Sequence, residues 1–74
     1  MKLRRDILAD GVILSTVKPL SFVYYGSYET AITFNNQKSW SILKGYKTEV
    51  EAIKWHEKFK NMPIKELMYL EKLD

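Results

Sequence analysis

The stretch Tyr46-Lys47-Thr48-Glu49-Val50-Glu51-Ala52-Ile53-Lys54-Trp55-His56 constrains this chain more than any other, because it marks a helix start and sets which residues face inward. Thr48 is the expected cap. Its hydroxyl can accept from the Glu51 amide while the Glu51 carboxylate reaches back to the Thr48 amide, so one T-x-x-E box satisfies both otherwise orphaned donors. From there Ala52, Trp55, His56 and Phe59 recur at i, i+3, i+4 and i+7, which is one face of a helix, with Glu51, Lys54 and Lys58 turned away. The helix is expected over about 49–60, and it carries the single histidine of the chain on its apolar side.

Upstream the pattern changes to that of strands. Asp10-Gly11 between Ile7-Leu8-Ala9 and Val12-Ile13-Leu14 is a hairpin signal, since a type I′ turn needs positive φ at both central positions. Pairing Ala9 with Val12 then sets Leu8 opposite Ile13 and Ile7 opposite Leu14. Strands are expected over about 3–9 and 12–18, with a short N-terminal helix as the alternative for the first segment and the second ended by Pro19, which cannot donate to a ladder. The region of about 22–34 is dense in aromatic and β-branched residues, with Gly26-Ser27 suggesting a bulge or bend. Asn35-Asn36 supplies turn chemistry, and about 38–44 returns with Trp40 and Ile42 alternating against Ser39 and Ser41. Gly45 is expected to free the backbone before the helix. Pro63 suits the first turn of a last helix over about 63–72, with Ile64, Leu67 and Met68 as its apolar face. These elements predict one α+β domain spanning 1–74: a twisted antiparallel sheet of about four strands, one main helix packed across it and a short C-terminal helix.

Composition narrows the chemistry. The chain has 74 residues and no cysteine, which removes disulfide staples, thiolate zinc sites and cysteine nucleophiles. A chain this short buries only about 60% of its unfolded surface, so the core is thin. Basic residues at Lys2, Arg4 and Arg5 are followed by Asp10-Gly11 before any long apolar run, unlike a signal peptide. No stretch approaches the ~20 apolar residues that span a bilayer, so a cytoplasmic protein without membrane contact is expected. The net charge of +3 comes from 12 basic against 9 acidic residues, a small excess that permits an anionic partner without requiring one.

His56-Glu57 is the first place to look for catalysis. Neighbours on a helix point about 100° apart, so Glu57 does not orient His56, and no nucleophile is specified nearby. The expected role of His56 is structural, packed between helix and sheet with a ring nitrogen bonded to a backbone carbonyl or a hydroxyl such as that of Thr30. Thr48, Glu51, Trp55, His56 and Phe59 are therefore read as structural residues, and neither a metal nor a cofactor is expected, because paired ligand spacings are absent. A second set is aromatic and basic. Tyr24, Tyr25, Tyr28 and Trp40, with Lys38 and Lys44, are the candidate partner-binding residues. They suit a protein surface or, as the alternative, stacking of single-stranded nucleic acid with lysines on phosphates. Arg4 and Arg5 on a first, edge strand read as protection against pairing, and Glu51 with Lys54 and Glu57 with Lys60 as ordinary helix-surface pairs.

The blocks Ile13-Leu14-Ser15-Thr16-Val17, Tyr28-Glu29-Thr30-Ala31-Ile32-Thr33-Phe34 and Tyr46-x-Thr48-x-x-Glu51-Ala52-x-x-x-His56 resemble a family of small, functionally uncharacterised proteins encoded by tailed bacteriophages and prophages. That family carries Ile-Ser-Thr-Val, Phe-Glu-Thr-Met-Val-Phe and Tyr-Ser-Thr-x-x-Glu-Ala-x-x-Gly-His blocks. The chain departs from it at Ala31-Ile32-Thr33, at Trp55 in place of glycine, and in a shortened polar loop, Lys18-Pro19-Leu20-Ser21. The resemblance implies a phage-related accessory protein. Together with the residues it leads to the expectation of a small non-catalytic module that binds a host protein, a phage protein or another copy of itself, in host takeover or counter-defence.

Overall fold

The computed structural model of the protein describes residues 2–18 and 28–73. Four strands, β1 (Lys2–Ala9), β2 (Val12–Val17), β3 (Tyr28–Thr33) and β4 (Ser41–Tyr46), are followed by α1 (Glu49–Lys60) and α2 (Ile64–Leu73). The strands form one antiparallel sheet in the order β1-β2-β3-β4. The α+β architecture expected from the periodicities is therefore the observed one. The expected strand residues 22–27 lie outside the described residues.

The β1–β2 hairpin forms where Asp10-Gly11 places it, but by a different turn and a different register. Only Gly11 has positive φ, +76°, so the turn is not type I′. Ala9 pairs with Val12 as expected, yet Ile7 pairs with Ile13 and Asp6 with Leu14. Leu8 is an extra residue in a bulge, and a second irregularity falls at Leu3. One inserted residue reverses the facing of everything upstream of it. Ile7, which an unbroken ladder would put against Leu14, points outward at 75% exposure. Asp6 takes the inward place.

The last strand also departs from expectation. β4 begins at Ser41 rather than at Lys38, and Gly45 pairs with Glu29 inside the ladder instead of loosening the chain before the helix. The residues ahead of it are tied up by side chains. Thr33 Oγ1 accepts from the Gln37 amide at 3.0 Å, and Asn35 Oδ1 accepts from the Ser39 amide at 3.0 Å. Asn36 and Gln37 both have positive φ, and the Lys38 amide bonds the Asn35 carbonyl at 3.4 Å, which closes the turn there.

Both helices lie on one side of the sheet. Leu14, Val12 and Ile32 from the sheet, Phe59 from α1 and Leu67 from α2 form the core, with Leu8, Leu43, Trp55, Met62 and Leu70 packed around it. On α2, Met68 is exposed and Leu70 takes the packing place expected of it. Pro63 stands just ahead of α2, its carbonyl accepting from the Glu66 and Leu67 amides.

The start of α1 matches its sequence signal. Thr48 has extended backbone angles, φ −125° and ψ 153°, and its Oγ1 accepts from the Glu51 amide at 3.2 Å. The reciprocal bond differs: the Glu51 carboxylate accepts from the Thr48 hydroxyl at 3.1 Å rather than from its amide. Thr48→Ala therefore removes both bonds. It is expected to lower stability by about 1 kcal/mol, read as a lower urea midpoint at unchanged slope; an unchanged midpoint would contradict the role of the cap.

Candidate functional site

The polar chemistry of this protein is concentrated in one chain of hydrogen bonds that crosses the sheet beneath α1. The sequence provides for it by putting hydroxyls at core-facing strand positions: Thr16 follows Leu14 by two residues, Thr30 precedes Ile32 by two, and the two threonines are direct cross-strand partners. Their Oγ1 atoms are 2.6 Å apart and both residues are fully buried. Tyr46 adds its hydroxyl, donating to Thr30 Oγ1 at 3.0 Å. From the helix, His56 presents Nδ1 to Thr16 Oγ1 at 2.7 Å. Its other nitrogen, Nε2, meets Asp6 Oδ2 at 2.8 Å, and Lys60 Nζ lies 3.6 Å from Asp6 Oδ1.

The two ends give the chain a direction. Burial pushes the Tyr46 hydroxyl above the usual phenol range, partly offset by its bond to Thr30, so Tyr46 keeps its proton and donates. At the other end the hydrogen bond from His56, with further help from Lys60, holds the Asp6 carboxyl below its usual value of 3.8 against an opposing cost of burial. Asp6 is thus an acceptor. With a neutral His56 ring, the protons between these ends point one way: Tyr46 to Thr30, Thr30 to Thr16, Thr16 to His56 Nδ1, and His56 Nε2–H to Asp6. Each hydroxyl and ring nitrogen in the chain is satisfied, and no buried side-chain polar atom among the described residues lacks a partner.

A lowered Asp6 pKa stabilises the fold at pH above the ordinary carboxylate value, and this contribution disappears as pH falls through the folded-state pKa below 3.8. Acid titration followed by urea unfolding should show stability dropping across that range. Asp6→Asn should flatten the drop, and equal acid sensitivity in the two proteins would refute the coupling.

The connectivity of Thr16, His56 and Asp6 has the order of a nucleophile, a base and an orienting carboxylate. Thr16 and His56, however, are fully buried, which closes the hydroxyl off from solvent. Only Asp6, at 30% side-chain exposure, opens the chain to solvent. Glu57 stands beside it, and one ligand atom from each of Asp6, His56 and Glu57 can be chosen so that all three lie within 4.8 Å of one another.

His56 is fully buried between helix and sheet, with Thr16 rather than Thr30 as its direct hydroxyl partner. Asp6 is the member that sequence reading missed, because its inward facing depends on the bulge at Leu8. Thr16 and Thr30 had a signal, hydroxyls at the parity of Leu14 and Ile32. The expected i, i+3 pairs on α1 are not formed: Glu51 is engaged with Thr48, and the cation Lys60 turns to Asp6.

The candidate partner-binding residues are dispersed. Tyr24 and Tyr25 lie outside the described residues. Tyr28 is half-buried, opposite Tyr46, with Lys18 Nζ 5.9 Å from its ring centre. Lys44 is opposite Thr30 on the helix side, where it and Lys58 approach the Trp55 ring at 4.7 and 4.6 Å. Trp40 belongs to the other side. Arg5, which alternates with the inward Asp6 and so faces away from α1, bonds Gln37 at 2.8 Å and lies 5.8 Å from the Trp40 ring centre. Lys38 is exposed in the turn.

No protein-family model matches the chain, and no curated protein or solved structure matches it. Among the described residues, no helix is long and apolar enough to cross a membrane.

Proposed function

We propose that this protein is a small non-catalytic module that binds a protein partner, a phage-related accessory protein acting on a host or phage protein. The observation that carries the reading is the sheet face turned away from the helices. There Ile7 and Ile42 are 75% and 50% exposed and Trp40 is 38% exposed, next to Arg5. Arg5 and Ile7 alternate with inward Asp6, and Ile42 is the direct partner of Ala31, between inward Thr30 and Ile32, so these side chains share one face. Ile13, Ser15 and Thr33 on the same face are buried, which leaves the exposed apolar atoms toward the margins. Tryptophan and arginine on an apolar surface are the residue types that dominate protein interfaces. The burial of Thr16 and His56 supports the non-catalytic part of the reading, and the resemblance in the Ser-Thr-Val, Glu-Thr and Tyr-x-Thr-x-x-Glu-Ala blocks supports its phage setting.

Single-strand nucleic-acid binding fits less well, because cations already sit against two of the candidate stacking rings: Arg5 against Trp40 and Lys18 against Tyr28. The test combines capture from bacterial lysate with anisotropy of labelled oligonucleotides at low and moderate salt. A captured protein lost on Ile42→Glu supports the proposal. Tight oligonucleotide binding that falls steeply with salt and is lost on Trp40→Ala overturns it. Light scattering separates a second copy from a foreign partner.

A further inference from the structure

We propose that Asp6, His56 and Glu57 form a binding site for a divalent transition ion of the Zn2+ class, entered from the side where Asp6 and Glu57 meet solvent. The reading goes beyond the protein-binding role and does not depend on it. One nitrogen and two carboxylate ligands, brought within 4.8 Å of one another from β1 and α1, make the mixed donor set that such ions accept. A pair of carboxylates at a surface would be unremarkable; the histidine sets this group apart. The His56 ring is fully buried, and Thr16 holds its far nitrogen at 2.7 Å, which aims Nε2 at Asp6 Oδ2, 2.8 Å away. A hydrogen-bonding group behind the ring is the usual outer support of a metal-bound imidazole. Asp6 is delivered by the bulge at Leu8, while Glu57 is exposed and has a carboxylate oxygen within 4.8 Å of the other two ligand atoms. Water completes the coordination on the solvent side.

The same geometry says what the ion must displace. It takes the place of the proton between Nε2 and Asp6, so the ring proton moves to Nδ1 and donates to Thr16 Oγ1. The Thr16 hydroxyl proton then turns to Thr30, and one hydroxyl proton, of Thr30 or Tyr46, needs a new acceptor. Lys60, 3.6 Å from Asp6 Oδ1, opposes a second cation. Binding is therefore of moderate strength and is sensitive in opposite directions to two exposed side chains.

Calorimetry of the chelator-treated full chain with Zn2+ is expected to show one ion per chain, and urea unfolding a raised midpoint with Zn2+ but not with Mg2+, which prefers all-oxygen sites. Glu57→Gln should weaken binding by about tenfold or more, and Lys60→Ala should tighten it. Nitrogen NMR of the imidazole should show the protonated position switching from Nε2 to Nδ1 as the ion is added. Neither variant touches a buried side chain, so both should fold. The proposal is overturned if millimolar Zn2+ neither binds nor shifts the midpoint. It is equally overturned if Zn2+ binds but its affinity is the same in Glu57→Gln and Lys60→Ala as in the parent, the mark of an adventitious ion elsewhere.

Discussion

His56→Ala is expected to destabilise the fold by about 3 kcal/mol. The imidazole is fully buried and bridges β1 and β2 to α1, so truncating it leaves a cavity. It also leaves the Thr16 hydroxyl proton without its acceptor and Asp6 without its principal donor. The loss is large beside the roughly 4–11 kcal/mol that a domain of this length can hold. Urea unfolding of the single variants His56→Ala and Thr16→Val and of the double variant measures it. Because the two side chains share one hydrogen bond, the double variant should cost less than the two singles together. Strict additivity, or a His56→Ala cost within about 0.5 kcal/mol of zero, would mean that the chain of bonds does not hold the helix to the sheet.

The second large effect separates two residues that look alike in the sequence. Leu14→Ala should cost about 3–5 kcal/mol, because Leu14 is fully buried in the middle of the core and little around it can collapse into the space. Ile7→Ala should cost no more than about 0.5 kcal/mol, because Ile7 is mostly exposed on the far face. An unbroken hairpin ladder would pair the two residues and give them similar costs. Denaturation of both variants therefore tests the bulge at Leu8 directly. Comparable losses would place Ile7 in the core and remove Asp6 from His56.

Much of the architecture is legible in the sequence, and the reason is local. The helix start at Thr48, the inward set Ala52, Trp55, His56 and Phe59, and the hairpin at Asp10-Gly11 each rest on capping, periodicity or turn chemistry within a few residues. These are preferences that neighbours in the chain express without help from the rest of the fold. The bounds of α1 follow from them to the residue. The sheet itself was legible for the same reason, since β-branched and aromatic runs punctuated by glycine, proline and asparagine admit few other readings.

What only the tertiary structure decided is facing and company. A strand has a period of two, so one extra residue at Leu8 exchanges Ile7 for Asp6 on the inner face, and nothing within β1 announces where that residue is inserted. The insertion reflects which side chain α1 can use: an aspartate there meets the Nε2 of a histidine 50 positions away, which an isoleucine could not do. In the same way Gly45 and the start of β4 depend on how far Asn35 and Thr33 wind up the preceding turn. Spacing along the chain could place His56 on the buried face, but its direct partners come from two strands and the hydroxyls behind them from the other two. Only the closed sheet brings Asp6, Thr16, Thr30 and Tyr46 into one line, because satisfying a buried polar group is a condition on the whole packed core rather than on any segment of it.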